Sequence, residues 1–236
     1  MATLNVTEAV VLRTYSLGDA DKIALFLTRQ NGVVRGVAKG ARRLKSRFGA
    51  GLEPFTFIQL TYRAKEDREL VSIQQIEILR DYFTVSSDPD VMADWAYLGE
   101  LIVALSPPHE PNPKLYSLAR ACMEALAGLP AKRRAIRAYF SLWLLKLSGL
   151  LPGWSQCLRC HETLSLASGI YWDGQYHLYC ENCRPAPARK MAFETYALLT
   201  TTRTHNPTDF AALAQGTKAL EELELMAHKL LTAAFL

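Results

Sequence analysis

The sequence predicts an α+β protein, with an N-terminal closed barrel of five short strands followed by an α-helical part that carries a four-cysteine zinc ribbon. Two observations predict it. Apolar residues recur with a period of two between Thr7 and Leu79, then with a period near 3.6 from Ser87 onward, the signatures of half-buried strands and of amphipathic helices. Late in the chain two Cys-x-x-Cys pairs stand nineteen residues apart, a spacing that brings thiols together at one tetrahedral centre. The expected limits are 1–80 for the barrel, 81–150 with 190–236 for the helices, and 151–189 for the ribbon. With 236 residues the chain can bury a sizeable core and form more than one small domain.

Val10 to Arg13 belong to a first strand that ends in a turn at Leu17-Gly18-Asp19, and Lys22 to Thr28 form a second. Gln30-Asn31-Gly32 reads as a hairpin, because Asn-Gly accepts the positive φ values of a tight turn. Val33 to Ala41 form the third strand, which sets Val33, Arg35, Val37 and Lys39 on one face and Val34, Gly36, Ala38 and Gly40 on the other. The second of these faces is small, as a barrel bend or a closely approaching backbone requires. Pro54 precedes a fourth strand, Phe55 to Tyr62, with Phe55 and Phe57 assigned to the barrel core; Arg63 to Glu69 turn into a fifth, Leu70 to Leu79. Five strands with a glycine-rich bend fit the OB-fold, whose face and loops commonly take single-stranded nucleic acid. An SH3-like barrel fits almost as well, and periodicity alone does not choose between them.

The net charge of +4 is unevenly placed. Residues 1–80 hold 13 basic and 8 acidic side chains, whereas residues 81–236 hold 14 and 15. The excess gathers in 31–51, where Arg35, Lys39, Arg42, Arg43, Lys45 and Arg47 occur without a carboxylate among them. Like charge at this density opposes folding by self-repulsion, and a basic part in an otherwise neutral chain points to nucleic acid or to a membrane surface. Phe48 lies in the same basic loop rather than in an alternating strand, which makes it the candidate for stacking on a base.

At Ser87-Asp88-Pro89 the helical period begins, with Asp88 as N-cap and Pro89 at the first helical position. The stripe Val91, Trp95, Leu98, Ile102, Leu105 runs until Pro107-Pro108. A second helix covers about 114–126 and makes Cys122 a small buried hydrophobe. The third, about 131–148, is apolar nearly all round and is expected at the centre of the helical part. Lys132, Arg133, Arg134 and Arg137 crowd its first turns, where the helix dipole disfavours cations; either carboxylates neutralise them or they receive an acidic partner. Helices are also expected over Met191 to Thr202, near Phe210, and from Lys218 onward.

Cys157-Leu158-Arg159-Cys160 and Cys180-Glu181-Asn182-Cys183 flank a hairpin with an Asp173-Gly174 turn. Cys157, Cys160, Cys180 and Cys183 are the expected ligands of one structural Zn2+ ion, with a redox pair as the alternative. Four thiolates leave no open position for water or substrate, so such an ion stabilises the fold. His161 and His177 are close in sequence, but softer thiolates are preferred over them.

No Gly-x-x-x-x-Gly-Lys-Ser/Thr loop, nucleophile elbow or His-Glu-x-x-His occurs, so no residue pattern points to an enzyme. Met1 to Thr7 do not read as a secretory signal, and the most apolar stretch, Ala138 to Leu151, is broken by Lys146 and ended by Pro152. A cytoplasmic protein without a membrane partner is expected.

Taken in order, Val10-Val11-Leu12-Arg13-Thr14, Gly18 to Lys22, Gly36 to Arg43, Ser46-Arg47-Phe48 and Leu52-Glu53-Pro54-Phe55 resemble the RecO family of recombination mediator and DNA-annealing proteins. The resemblance implies an OB-fold that binds single-stranded and double-stranded DNA, a helical domain, and a nucleoid-associated role in DNA repair by the RecF pathway. It further implies strand annealing, partnership with RecR and with the acidic tail of single-strand-binding protein, and help to RecA in loading onto coated single strands. That tail is assigned to Lys132, Arg133, Arg134 and Arg137. The alternative is a structural OB-fold and zinc-ribbon interaction module that binds RNA or a nucleoprotein complex. A nuclease would need carboxylates beside the basic loop, and Asp19, Asp21 and Glu53 are the candidates.

Overall fold

Strand β1 (Ala2–Leu17) is the long element on which the barrel closes. Its N-terminal half pairs antiparallel with β4 (Phe57–Lys65) and its C-terminal half with β2 (Asp21–Thr28), an irregularity between Val11 and Arg13 bending it from one partner toward the other. Strand β3 (Gly32–Ala38) follows β2 through the expected turn, and β5 (Val71–Arg80) pairs with β4. A short parallel pairing, Gly36 with Val71 and Val37 with Ser72, joins β3 to β5 and completes the closed order β1-β2-β3-β5-β4. This is the partly parallel closure of an OB-type barrel, which sets the SH3-like alternative aside. The computed structural model describes residues 2–65, 69–82, 87–165, 169–214 and 216–234. The middle of the expected Arg63 to Glu69 turn, residues 66–68, lies outside them.

Phe26, Val34, Ile58, Leu60, Tyr62 and Ile73 point inward and are almost completely buried. Gly36 points inward too, and a Cβ there would stand 2.9 Å from Cγ1 of Ile73 and 2.9 Å from Cγ2 of Val71. The closing strands therefore meet at a position that has no room for a side chain. At Gly32 the requirement is double, because φ is +64° and a Cβ would collide with the carbonyl of Glu110.

Two strand limits differ from expectation. β3 stops at Ala38, so Lys39 and Gly40 are loop residues rather than strand residues. β4 starts at Phe57, since Phe55 has φ +66° and cannot continue a strand. Phe55 and Phe57 are buried, yet outside the barrel interior: Trp95 lies edge-on to Phe55 at 5.6 Å, and Tyr82 lies edge-on to Phe57 at 6.0 Å and to Trp95 at 5.1 Å. Trp95 belongs to α1 (Pro89–Leu105), which Asp88 caps through the N–H groups of Asp90 and Val91 at 2.9 and 3.3 Å. Its indole N–H donates to the Met123 carbonyl of α2 (Pro113–Gly128) at 3.2 Å. Cys122 in α2 is fully buried, and burial pushes its thiol pKa upward.

The chain divides into two compact units, 1–123 and 124–236, with the division inside α2. In the second unit α3 (Arg133–Leu147) packs against α5 (Pro207–Ala214) and α6 (Lys218–Ala234), while α4 (Phe193–Thr201) packs on α6. Phe140 and Ile136 are fully buried there, and Tyr139 stacks at a tilt on Phe210, with ring centroids 5.4 Å apart. Between α3 and α4 lies a three-stranded ribbon of β6 (Ile170–Trp172), β7 (Leu178–Cys180) and β8 (Arg189–Lys190), in the order β7-β6-β8. Among the described residues no helix is long and apolar enough to cross a membrane.

If Gly36 marks the closure of the barrel, Gly36→Ala should cost about 1–3 kcal/mol, the usual penalty for overpacking a filled interior. Gly128→Ala, where a Cβ meets nothing within 4 Å, should cost nothing measurable in the same urea titration.

Candidate nucleic-acid interface and metal centre

The segment between Ala38 and Phe48 leaves the barrel and returns to it within ten residues, held at both ends. Near its start the Gly40 N–H donates to Oδ1 of Asp21 at 2.8 Å, and the Arg42 N–H donates to the Ala20 carbonyl at 3.0 Å. The Arg42 guanidinium adds a bond of 2.7 Å to the carbonyl of Gly18. These contacts lay the loop on the β1–β2 turn. Two successive turns, closed by Arg43 N–H to Gly40 and Ser46 N–H to Arg43, carry it onward.

At its far end Phe48 corrects the expectation that its ring stacks on a base. The side chain is 4 % exposed and sits in the barrel core beside Leu52 and Ile73. A ring so buried gains more from the core than a surface contact with a base returns, and withdrawing it would open a cavity. Phe48 is therefore the anchor of the loop, with the Arg47 guanidinium 4.9 Å from its ring centroid. Gly51 permits this return, since a Cβ there would lie 2.6 Å from Cγ2 of Ile76.

Between these anchors Lys39, Arg42, Arg43, Lys45 and Arg47 are exposed, as is Arg35 on β3. Arg35 reaches Glu69 at 3.5 Å, an exposed pair that solvent and salt weaken. Asp21, one of the carboxylates considered for a nuclease, is engaged by the backbone of the loop, and Glu53 faces Lys22 at 3.7 Å. Arg63 and Lys65 are also exposed, at the end of β4, where the sequence predicts a turn.

In the second unit the sulfurs of Cys157, Cys160, Cys180 and Cys183 all lie within 4.8 Å of one another. Bonds of about 2.3 Å from a tetrahedral ion place thiolates about 3.8 Å apart, and Cys160 and Cys180 are 3.8 Å apart. None of them forms a disulfide. The first knuckle is tied by His161 N–H to the Cys157 carbonyl at 2.9 Å, and joined to β7 by Leu158 N–H to the Leu178 carbonyl at 2.9 Å. Burial opposes ionisation of Cys157, but the N–H groups of Cys160, Cys180 and Arg159 outweigh it and bring that thiol down to about 6. Hydrogen bonding to Cys180, reinforced by burial, pushes Cys183 up to about 12. The donor set thus fits a metal ion, and the N–H groups around Cys157 favour the thiolate form that a metal needs.

The ring of His177 faces Asp173 at 3.2 Å rather than the cysteines. Asp173 organises the hairpin tip: burial works against its charge, yet N–H groups of His177 and Gln175 and the hydroxyl of Tyr179 hold its carboxyl below the usual range. At the start of α3, Arg134 makes a two-point contact with Glu224 of α6, Nε to Oε1 at 3.1 Å and Nη2 to Oε2 at 2.6 Å. Carboxylate neutralisation therefore accounts for this member of the cluster. Lys132, Arg133 and Arg137 are half-buried around it.

A closed β1-β2-β3-β5-β4 barrel, continued by helices and a four-thiol ribbon, makes the chain an OB-type α+β protein. Residues 1–82 match the family described as recombination protein O N terminal, and residues 86–232 match recombination protein O C terminal. The chain belongs to the RecO family. It is 31% identical over 197 residues to a DNA repair protein RecO of Koribacter versatilis, covering 83% of this chain and 79% of that one. Identity is 37% over 197 residues to the protein of the same description from Nocardioides sp., covering 81% and 79%. For that of Anaeromyxobacter sp. strain Fw109-5 it is 33% over 180 residues, covering 76% and 70%.

Elemental analysis of the purified chain should return one metal ion per chain, and Cys160→Ser should remove it. Full stoichiometry in that variant would place the ion elsewhere.

Proposed function

We propose that this protein is a non-enzymatic DNA-binding protein of recombinational repair. It binds single- and double-stranded DNA through Arg35, Lys39, Arg42, Arg43, Lys45 and Arg47, anneals complementary strands, and helps RecA load onto coated single strands. The observation that carries this reading is the loop of exposed cations tethered to an OB-type barrel. Relatives described as DNA repair protein RecO supply the repair context. Annealing suits such a surface. Two strands repel each other through their phosphates, and cations fixed on a rigid scaffold lower that repulsion without a nucleotide fuel.

RecR and the acidic tail of single-strand-binding protein are the protein partners this reading expects, with work in the cytoplasm at the nucleoid. Lys132, Arg133, Arg134 and Arg137 remain the proposed seat of the tail, whose carboxylates would compete with Glu224 for Arg134. Cys157, Cys160, Cys180 and Cys183 would hold one zinc ion. Its chemistry is structural, because a saturated thiolate set presents no open coordination position. Barrel and ribbon then have separate tasks: the first meets DNA, the second keeps its own segment folded.

With about five phosphate contacts, single-strand affinity should fall by roughly 3–4 log units per decade of salt, at about 0.7 per contact. Replacing Lys39, Arg43 and Lys45 by alanine leaves the Arg42 tether intact and should lower that slope by about 2. Annealing of complementary oligonucleotides without ATP should slow in parallel. An unchanged slope would move the DNA site elsewhere, and RNA preference without annealing would favour the interaction-module alternative.

A further inference from the structure

The outer face of β1, β2 and β3 is covered at one end and open at the other. Directly opposed residues lie on the same face of a sheet, so the register assigns two neighbouring outer rows: Arg13, Leu25 and Arg35, then Tyr15, Ile23 and Val37. Toward the covered end, Val10, Leu12, Leu27 and Val33 are buried, and Val33 is bridged by Pro108 and hydrogen-bonded through its carbonyl to His109 at 3.1 Å. Along the same strands burial then lifts. Leu25 is still buried, Ile23 and Val37 are half-buried, and Tyr15 is 45% exposed.

The open end is also where the cation loop attaches. Lys39 follows Val37 by two residues, and Arg42 is bonded to Gly18 and Ala20 in the turn after β1. An aromatic ring with two aliphatic neighbours thus lies between Arg13 and Arg35 on one side and Lys39 and Arg42 on the other. The ring is held in place, since Nη1 of Arg13 donates to its hydroxyl at 3.0 Å. The Arg13 guanidinium carbon lies 5.9 Å from the ring centroid, which leaves the ring partly open. Three carboxylates beside this face are paired, Glu100 with Arg13, Glu69 with Arg35, and Asp21 with the Gly40 N–H, while Asp19 is exposed in the turn after β1. The result is an apolar shelf in a cationic frame.

We propose that Tyr15, Ile23 and Val37 form a platform for the unpaired bases of a DNA single strand, whose phosphates run along the flanking cations. This rests on the DNA-binding reading above and deepens it, by separating what holds the phosphates from what holds the bases. Charge complementarity selects the occupant. The cations suit phosphate, and an exposed ring suits the π-face that every unpaired base offers. A duplex keeps its bases stacked on each other and has none to place on Tyr15. The platform therefore favours single strands, whereas the loop cations serve either form. It also gives Tyr15 the stacking role for which Phe48 is too deeply buried.

The test compares the full-length protein with its Tyr15→Ala and Tyr15→Phe variants, on an oligothymidine strand and on a duplex of the same length, across a salt series. Tyr15→Ala should weaken single-strand binding by about 5- to 150-fold, the range of losses that alanine substitution of a stacking aromatic causes. Its duplex affinity and its salt slope should not change, because stacking neutralises no phosphate. Tyr15→Phe keeps the ring and should stay within about twofold of the parent protein if stacking is the operative contact. An abasic strand tested on the unaltered protein gives the same answer without a variant: it should bind as weakly as oligothymidine binds to Tyr15→Ala. Unchanged single-strand affinity in Tyr15→Ala, an equal loss on duplex, or an abasic strand bound as tightly as oligothymidine would each overturn the platform. If the platform fails while the loop substitutions still lower the salt slope, DNA binding by the loop stands; if those leave the slope unchanged, that reading fails by itself.

Discussion

The barrel closes only because β3 can come against β5 at a residue without a side chain. Gly36 pairs with Val71 in the parallel step between β3 and β5, with the side chains of Val71 and Ile73 filling the space its own would need. That step also sets the course of the next fifteen or so residues. β3 ends two residues later, and the chain leaves the wall there. It returns through Phe48 and Leu52, which enter the interior, while Gly51 passes beneath Ile76. The loop is thus the path the backbone takes around a closed seam, pinned by a buried ring at one end and by Asp21 at the other.

Such pinning keeps the clustered cations together. Self-repulsion among Lys39, Arg42, Arg43, Lys45 and Arg47 disfavours any conformation that gathers them, so a free loop would spread. Here the core burial of Phe48 and the backbone bonds to the β1–β2 turn offset the repulsion and hold the charges on one side of the barrel. A polyanion of the kind proposed above would meet charges that the fold already holds together, which lowers the ordering cost of binding. The ribbon obeys the same logic with a different anchor. Its strands are of two or three residues each, too short to be stable alone, and four converging thiols can supply through a metal what its small core cannot.

Much of this was legible in the sequence. Periodicity located the five strands and the helices, Asp88 was recognisable as a cap, and cysteine spacing marked the ribbon, because these signals are local. The parts that were not legible depend on contacts distant in sequence. Phe48 looks like a loop residue because nothing within a few positions shows that the barrel needs a plug. Phe55 and Phe57 look like interior residues because alternation cannot tell the inside of a barrel from a second core under α1. Arg134 looks available until α6 brings Glu224 to it from 90 positions away. Tyr15 is hidden among apolar strand residues, and only the burial gradient along the outer face singles it out.

In the function proposed above, the protein meets DNA through the tethered loop and the barrel face beside it. Photocrosslinking the protein to a single-stranded oligonucleotide, followed by peptide mapping, locates that surface. Crosslinks are expected in 35–47 and in the peptide that contains Tyr15. Crosslinks confined to 124–236 would contradict it.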